Sequence, residues 1–310
     1  MEPVRRRRWA RRLAAMFIVL VAGTLAAPLF LRPNPRLLPA RTPADVGLPF
    51  EQVTFSPPDL PLVLRAWLMP LAGAKASVVF VHGGGEDNRS LPFGNGLELM
   101  RDLVGAGYQV LAPDLRNFGE SDASPDGRIS FGLHESDDVI GAVDFLETRG
   151  GSARVAVIGF SMGGSAAIYA AARDPRIAAV VSDSAFADSR AIVSGFVHAV
   201  IGIPPWLSSP LLWTADAIHG MKLGAGRAID VVARIPPRPL LIVHDRRDSI
   251  VPVEHARRLA AAAPGSELWV TDVGQSEPSP FDTHIKSYMY APEPYAARIV
   301  AFLDRALGTR

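Results

Sequence analysis

A short segment around Ser161 constrains the fold of this chain more than any other. The sequence Gly-Phe-Ser-Met-Gly at 159–163 joins an apolar run typical of a buried strand (154–158) to a small-residue run typical of a helix (165–172). Glycines flank the serine where a strand and a helix would come too close for side chains. The pattern predicts a sharp strand-to-helix turn that presents the Ser161 hydroxyl, and we interpret Ser161 as a nucleophile.

A serine nucleophile needs a general base, and the base needs an acid that orients it. With this type of turn, the three residues follow along the chain in the order serine, acid, histidine. Asp245 and Asp248 lie in the loop after the apolar strand 239–243, at the end of a strand where functional groups collect. We favour Asp248 because it lies deeper in the loop. Asp245 is the alternative, although it could instead form a turn.

Two histidines follow Asp248 in the sequence. His255 falls within a helical pattern, which predicts a solvated helix residue. His284 lies in a late loop between the predicted strand 267–271 and the last predicted helix, 292–307. The sequence therefore predicts His284 as the general base.

A candidate oxyanion hole follows the third predicted strand. That strand ends at His82, and the three glycines at 83–85 allow backbone N–H groups to turn toward a substrate. We predict that the N–H groups of Gly84 and Met162 are the two donors. No G-x-G-x-x-G pattern or Walker lysine accompanies these glycines, so a phosphate-binding loop is not indicated.

Strand and helix patterns alternate through much of the chain, which predicts an α/β fold with a mostly parallel sheet. Two antiparallel strands, 51–55 and 60–69, are expected to open the sheet. The predicted alternation is then strand 76–82, helix 91–106, strand 108–113, helix 135–148, strand 154–159, helix 162–173 and strand 177–182.

In combination these motifs resemble the α/β-hydrolase superfamily, serine esterase type. The resemblance implies a twisted sheet flanked by helices, with a helical cap inserted after strand six. It also implies hydrolysis of carboxylic esters through an acyl-enzyme, without a cofactor. The alternatives are a lipid thioesterase or lysophospholipase, and a non-catalytic binding domain on the same fold. The matching segments are His82–Gly85 with Asn88 and Arg89, Asp114–Ser121, Gly159–Gly164, His244–Pro252 and His284.

Within the segment after strand four, Asp114 and Arg116 are expected to fix the loop rather than to catalyse. The alternation of strands and helices stops at about 185–235, where we place the cap. Phe196, Trp206 and Trp213 stand among aliphatic residues there, and an apolar cap over the catalytic loops would form a pocket for an acyl or alkyl group. Packing of the cap is the alternative role for each aromatic residue.

Composition excludes several other chemistries. The chain has no cysteine, so it carries no disulfide, thiolate nucleophile or cysteine-based metal site. A formal net charge of +1 gives no electrostatic case for nucleic-acid binding. No histidine and carboxylate cluster has the spacing of a zinc site, and we expect no metal. The expected partner is a small-molecule ester or a lipid.

The N-terminus predicts a membrane segment. A basic tail (1–12) precedes an uncharged apolar run (13–31) that is long enough for a transmembrane helix, which needs about 20 residues. The arginines of the tail predict a single-pass anchor with the catalytic domain outside the cytoplasm. Cleavage as a signal peptide, giving a secreted or periplasmic protein, is the alternative. A linker (32–49) then leads to the hydrolase domain (50–310).

Overall fold

The computed structural model describes residues 9, 21, 23, 24, 31, 32, 36–150, 154–220, 223, 225–273 and 283–308. Most of the predicted membrane segment (13–31) and the basic tail before it lie outside these residues. Within the described ranges, no helix is both long enough and apolar enough to cross a membrane.

A single eight-stranded sheet forms the centre of the chain, in the order β1-β2-β4-β3-β5-β6-β7-β8. β1 and β2 pair antiparallel, β2 pairs antiparallel with β4, and all later neighbours are parallel. Parallel pairing brings the carboxyl ends of β3, β5, β6 and β7 to one edge of the sheet. The strands are β1 (Glu51–Phe55), β2 (Leu64–Met69), β3 (Ala76–Val81), β4 (Tyr108–Pro113), β5 (Val155–Phe160), β6 (Ile177–Asp183), β7 (Leu240–Asp245) and β8 (Glu267–Thr271).

Helices cover both faces of this sheet, which confirms the predicted α/β fold with a mostly parallel sheet. The central strands β3, β5 and β7 are buried along their whole length, as expected when both faces are covered. The helices are α1 (Gly96–Gly105), α2 (Glu135–Thr148), α3 (Met162–Arg173), α4 (Ser189–Ile201), α5 (Pro205–His219), α6 (Glu254–Ala262), α7 (Ser287–Tyr290) and α8 (Pro292–Leu307).

Two apolar cores hold these layers together. On one face of the sheet, Val139 of α2 and Leu259 of α6 join one cluster. On the other face, Leu99 of α1 and Ile299 of α8 join a second cluster. Each fully buried aliphatic side chain of this kind contributes about 1.5–3 kcal/mol. The cores therefore make the carboxyl edge of the sheet a rigid base for the loops that it carries.

Helices α4 and α5 occupy the region predicted to be the cap. The Asp188 side chain caps the start of α4 by accepting a hydrogen bond from Ala191 N–H at 3.1 Å. Gly202 ends α4 in a left-handed conformation, and Pro205 starts α5, a position that proline favours. The two helices pack on each other.

The loop after β4 is fixed as predicted. The buried Asp114 carboxylate accepts hydrogen bonds from the backbone N–H groups of Arg89 at 2.8 Å and Glu120 at 2.9 Å. Arg116 is also buried and pairs with Asp138 at 2.7 Å and Asp59 at 2.8 Å. Because each of these charged side chains has a bonded partner, the loop after β4 is held in one conformation.

Candidate active site

Ser161 lies at the turn between β5 and α3, in a backbone conformation that side chains rarely adopt. Its φ is 52° and its ψ is −115°. A Cβ on Gly159 would overlap the carbonyl oxygen of Gly163, and a Cβ on Gly163 would overlap that of His82. The two glycines are therefore required by close approach, and they allow the tight turn that raises Ser161 above the sheet edge.

The structure brings Ser161, His284 and Asp248 together, although their loops are far apart in the sequence. His284 Nε2 lies 2.9 Å from Ser161 Oγ, and His284 Nδ1 lies 2.7 Å from Asp248 Oδ2. A carboxylate oxygen can only accept, so Nδ1 carries the proton and Nε2 is free to take the proton of the serine. This is the arrangement of nucleophile, base and orienting acid.

Both oxygens of the buried Asp248 carboxylate are occupied. Oδ1 accepts hydrogen bonds from the N–H groups of Ile250 at 3.0 Å and Val251 at 2.8 Å. Burial alone would raise the pKa of Asp248, but the charge of His284 and the hydrogen bonds from His244 and His284 outweigh it and hold the pKa well below its usual value. Asp248 is therefore ionised at neutral pH and can stabilise a protonated His284.

His244 is a second histidine at the same carboxylate, and the sequence reasoning assigned it no part in the site. Its Nε2 lies 2.6 Å from the carbonyl oxygen of Val251 and 3.4 Å from Asp248 Oδ2, so Nε2 carries a proton. Burial lowers the pKa of His244, but the hydrogen bond and charge of Asp248 more than offset this and the pKa is raised. The available signal was its place at the end of β7, four residues before Asp248.

Asp245 makes a different set of bonds. It is fully buried and accepts hydrogen bonds from Arg247 N–H at 2.9 Å, Thr271 Oγ1 at 2.9 Å and Val273 N–H at 3.0 Å. These bonds tie the loop after β7 to the end of β8. Asp245 therefore forms the turn, which was the other role considered for it. The acid that bonds to His284 is Asp248.

The prediction that His255 is a solvated helix residue is wrong. His255 is only 8% exposed, and its Nδ1 accepts a hydrogen bond from Ala187 N–H at 3.1 Å. Burial, together with the positive charge of Arg258, lowers the pKa of His255 to about 4. It shares the inner face of α6 with Leu259, four residues later, and this face packs against the loop after β6.

The glycine loop after β3 lies beside the serine turn. A Cβ on Gly84 would lie 3.4 Å from Met162 Cβ, and one on Gly83 would lie 3.5 Å from Ser161 Cβ. The Gly83 N–H is occupied, since it donates to Asp87 Oδ2 at 2.8 Å. Gly84 and Met162, the two predicted oxyanion donors, thus flank the serine on neighbouring backbone segments.

Asp87 is a buried acid within this loop that the sequence reasoning did not single out. Its Oδ2 accepts the Gly83 N–H and its Oδ1 accepts the Asn88 N–H, both at 2.8 Å, so the carboxylate ties the start of the glycine turn to the segment that follows it. Burial raises the pKa of Asp87 to about 7, and the nearby Asp114 adds to the rise. The only sequence signal was an acid four residues after Gly83.

The residues predicted to line a substrate pocket are Phe196, Trp206 and Trp213, and the structure does not show them enclosing a cavity beside the triad. Trp206 and Trp213 on α5 are 76% and 61% exposed. Phe196 lies on α4, and its side chain is outside what the structure describes. The two tryptophans therefore do not line an enclosed cavity, and the part of all three in substrate choice stays a prediction.

Within the described ranges, Asp59, His134 and Asp137 place one ligand atom each within 4.8 Å of one another. Two of these groups are already paired with cations, Asp59 with Arg116 at 2.8 Å and Asp137 with Arg173 at 2.9 Å. The paired carboxylates have little free negative charge for a metal ion. The triad does not include any of the three.

Comparison with known proteins agrees with this geometry. The sequence profile of a family described as "alpha/beta hydrolase fold" matches residues 76–223. The uncharacterized protein YfhR of Salmonella typhimurium is 27% identical over 86% of this chain and 88% of its own length. YqkD of Bacillus subtilis is 28% identical over 68% of this chain and 67% of its own. Among solved structures, the Pyrococcus furiosus esterase Pf2001 is similar with a TM-score of 0.70 and 25% identity, covering 89% of this chain and 98% of that one.

Proposed function

Since this chain belongs to the α/β-hydrolase superfamily, we propose that it is a serine hydrolase that cleaves carboxylic esters through an acyl-enzyme. The observation that carries the proposal is the continuous hydrogen-bonded path from Ser161 Oγ through His284 to Asp248, with distances of 2.9 and 2.7 Å. The likeness to the Pf2001 esterase supports an ester as the substrate.

In the proposed reaction, Ser161 Oγ attacks the ester carbonyl carbon while His284 Nε2 takes the hydroxyl proton. The ionised Asp248 stabilises the imidazolium and keeps its ring in place. The N–H groups of Gly84 and Met162 donate to the oxyanion of the tetrahedral intermediate. His284 then protonates the leaving alcohol. A water molecule, deprotonated by His284, then attacks the acyl carbon. His284 returns this proton to Ser161 Oγ as the bond to the acyl group breaks, and the carboxylic acid leaves.

Asp87 and His244 have supporting positions in this proposal. Asp87 ties the start of the glycine turn to the segment that follows it, which keeps the Gly84 N–H beside Ser161. His244 shares the Asp248 carboxylate with His284 and helps to keep it ionised. Neither residue touches the reacting atoms, so both are positioning residues.

A membrane location is the second part of the proposal. The arginines of the basic tail and the uncharged run 13–31 support a single-pass anchor with the enzyme outside the cytoplasm. The full chain should sediment with membranes and resist extraction by high salt. Mass analysis separates the anchor from a signal peptide, because a mature N-terminus near Ala27 or Pro28 would rule out the anchor.

A lipid thioesterase or lysophospholipase is the runner-up, and the same triad would carry out its chemistry. The membrane segment favours this class, because it would hold the enzyme near lipid substrates. Turnover of acyl-thioesters and lysolipids, measured beside p-nitrophenyl esters of increasing chain length, ranks the candidate substrates.

The first test of the proposal is labelling by a fluorophosphonate probe, which reacts with activated serines. The wild-type chain should be labelled, and Ser161→Ala should not. A wild-type chain that folds but is neither labelled nor active on any ester would favour the non-catalytic binding domain. Labelling that survives Ser161→Ala would place the nucleophile elsewhere.

A further inference from the structure

The outer side of α5 is an exposed apolar surface. Trp206, Pro210, Trp213 and Ala217 recur at helical spacing, and Ile218 lies beside them, so all five share one side of the helix. Each is exposed, Trp206 at 76% and Ile218 at 62%. We call these five residues the α5 outer face. A continuous patch of exposed apolar side chains is typical of a contact surface.

Almost no charge interrupts this part of the molecule. Between 189 and 219 the only Lys, Arg, Asp or Glu residues are Arg190 and Asp216. These two pair with each other at 3.1 Å, and their side chains are 30% and 13% exposed. The surface formed by α4 and α5 therefore presents no free full charge from Lys, Arg, Asp or Glu to a protein partner.

Three described residues of the apolar N-terminal run lie against the same helix. A Cβ on Gly23 would lie 3.4 Å from Leu211 Cδ2, and the Thr24 carbonyl oxygen is 3.0 Å from His219 Nε2. Leu31 packs in a cluster with Leu212 of α5. Both the middle and the end of the run 13–31 are thus in contact with α5, and any surface that the run enters must lie close to this helix.

These observations point to a lipid bilayer rather than to another protein. Tryptophan concentrates at the boundary between headgroups and acyl chains, because its ring is apolar with one polar N–H. A helix that rests on this boundary has a continuous apolar side, as the α5 outer face does. The adjacent run is uncharged and preceded by arginines at 5–8, 11 and 12, a pattern suited to anionic lipid.

We propose that the α5 outer face lies in the interfacial layer of a lipid bilayer, next to the N-terminal run. The cap would then be held against the membrane by a second contact in addition to the run itself. This inference does not depend on ester hydrolysis, and its test reads lipid contact rather than activity.

The test uses the full chain in vesicles of phosphatidylcholine and phosphatidylglycerol whose acyl chains carry bromine, which quenches nearby tryptophan fluorescence. Trp9→Phe first removes the tryptophan of the basic tail. In this background, Trp67 is buried in the core, and Trp269 lies on β8 at the end of the sheet, where its ring packs on Tyr295 of α8 at 5.5 Å. We expect strong quenching, and loss of most of it when Trp206→Phe and Trp213→Phe are added.

A second measurement tests the contact without fluorescence. The double variant Trp206→Ser with Trp213→Ser should stay on the vesicles through the N-terminal run, while its cap loses several-fold of its protection from added protease. The matched control is Val63→Ser, an exposed apolar residue (43%) in the loop before β2. Circular dichroism should show both variants folded, because the side chains removed are solvent-exposed.

Three outcomes would overturn the proposal. The first is a chain that stays on the vesicles while Trp206 and Trp213 remain unquenched. The second is shielding of both tryptophans from bromolipid and from aqueous acrylamide in a chain that sediments as a dimer, which would make a second copy the occupant. The third is a chain that does not bind vesicles at all. A failed esterase assay with normal quenching would instead reject only the proposed function.

Discussion

The carboxyl edge of the sheet buries charged groups, whereas the cap exposes apolar ones. At the sheet edge, the carboxylates of Asp87, Asp245 and Asp248 are buried, and each accepts at least two hydrogen bonds. On the cap, Trp206 and Trp213 are in water. A buried charge is tolerated only where its partners are fixed, so a small change at the sheet edge should be costly. An exposed ring has few partners to lose.

The difference shows where this protein needs exact geometry. Catalysis needs donors and acceptors within a few tenths of an ångström, which buried and fully bonded groups supply. A surface contact with a disordered layer such as lipid needs area and polarity but no fixed geometry. Chemical changes of single atoms should therefore matter at the sheet edge, whereas on α5 the loss of apolar area should matter.

The largest effect is expected at the triad. Ser161→Ala and His284→Ala should each lower kcat for a p-nitrophenyl ester by about 10³- to 10⁶-fold, because both residues act in the same step. The double variant should be little worse than either single one. Ser165→Ala, four residues along α3, is the matched control and should keep most of the activity. Substantial turnover by Ser161→Ala would mean that Ser161 is not the nucleophile.

The next effect separates two neighbouring buried acids. Asp248→Asn should lower kcat by about 10⁴-fold, because an amide no longer holds His284 in the required tautomer. Asp245→Asn should leave kcat near that of the wild type, while it lowers the free energy of unfolding by about 1–3 kcal/mol through lost hydrogen bonds. Kinetics and urea unfolding measure the two effects. The opposite ranking of the two kcat values would make Asp245 the acid.

A smaller effect concerns pH and Asp87. Its pKa is 3.8 ordinarily and about 7 in the fold, so the folded chain binds this proton more tightly than the unfolded chain. Between those two values the free energy of unfolding therefore falls as pH rises. Asp87→Asn cannot ionise and should remove part of this slope, on the order of 1 kcal/mol per pH unit.

Urea unfolding of wild type and Asp87→Asn at several pH values between 4 and 8 measures that slope. Glu86→Gln, a change in the exposed neighbouring acid, is the control and should leave the slope as in the wild type. Equal slopes in the wild type and Asp87→Asn would mean that folding does not raise the pKa of Asp87.

The smallest effect is expected on the cap. Trp206→Ala should change the free energy of unfolding by less than about 0.5 kcal/mol, because the ring is mostly in water. Trp67→Ala provides the comparison, since this ring is 1% exposed and its loss should cost about 3–5 kcal/mol. Thermal unfolding of both variants measures the difference. A large loss for Trp206→Ala would show that the α5 outer face is packed against something in the free chain.

Local patterns in the sequence were sufficient for the frame of the fold. The predicted helices 135–148 and 162–173 coincide with α2 and α3, because their bounds follow from nearby residues. The predicted helix 91–106 begins too early, since α1 starts at Gly96 after a short 3-10 turn. Leu91 and Asn95 have positive φ values of 45° and 53°, which interrupt a helix but leave no clear mark in the sequence.

The candidate site was predictable where chain order and a motif defined it, as for Ser161 and His284. His255 was misjudged because its partner, Ala187 N–H, is distant in the sequence and meets it only when α6 packs on the loop after β6. His244 and Asp87 were missed for the same reason. Their importance comes from the neighbours that the folded sheet edge places around them, and a single sequence does not show those neighbours.

The carboxylate that Asp248 shares between two histidines gives this site a spectroscopic signature. The Nδ1 proton of His284 and the Nε2 proton of His244 both lie in short, shielded hydrogen bonds, 2.7 Å to Asp248 and 2.6 Å to Val251. Protons of this kind exchange slowly with water and resonate far downfield in proton NMR spectra. Phosphonylation of Ser161 should move the His284 resonance and leave that of His244 almost unchanged. The second histidine would thus serve as an internal reference for each state of the first.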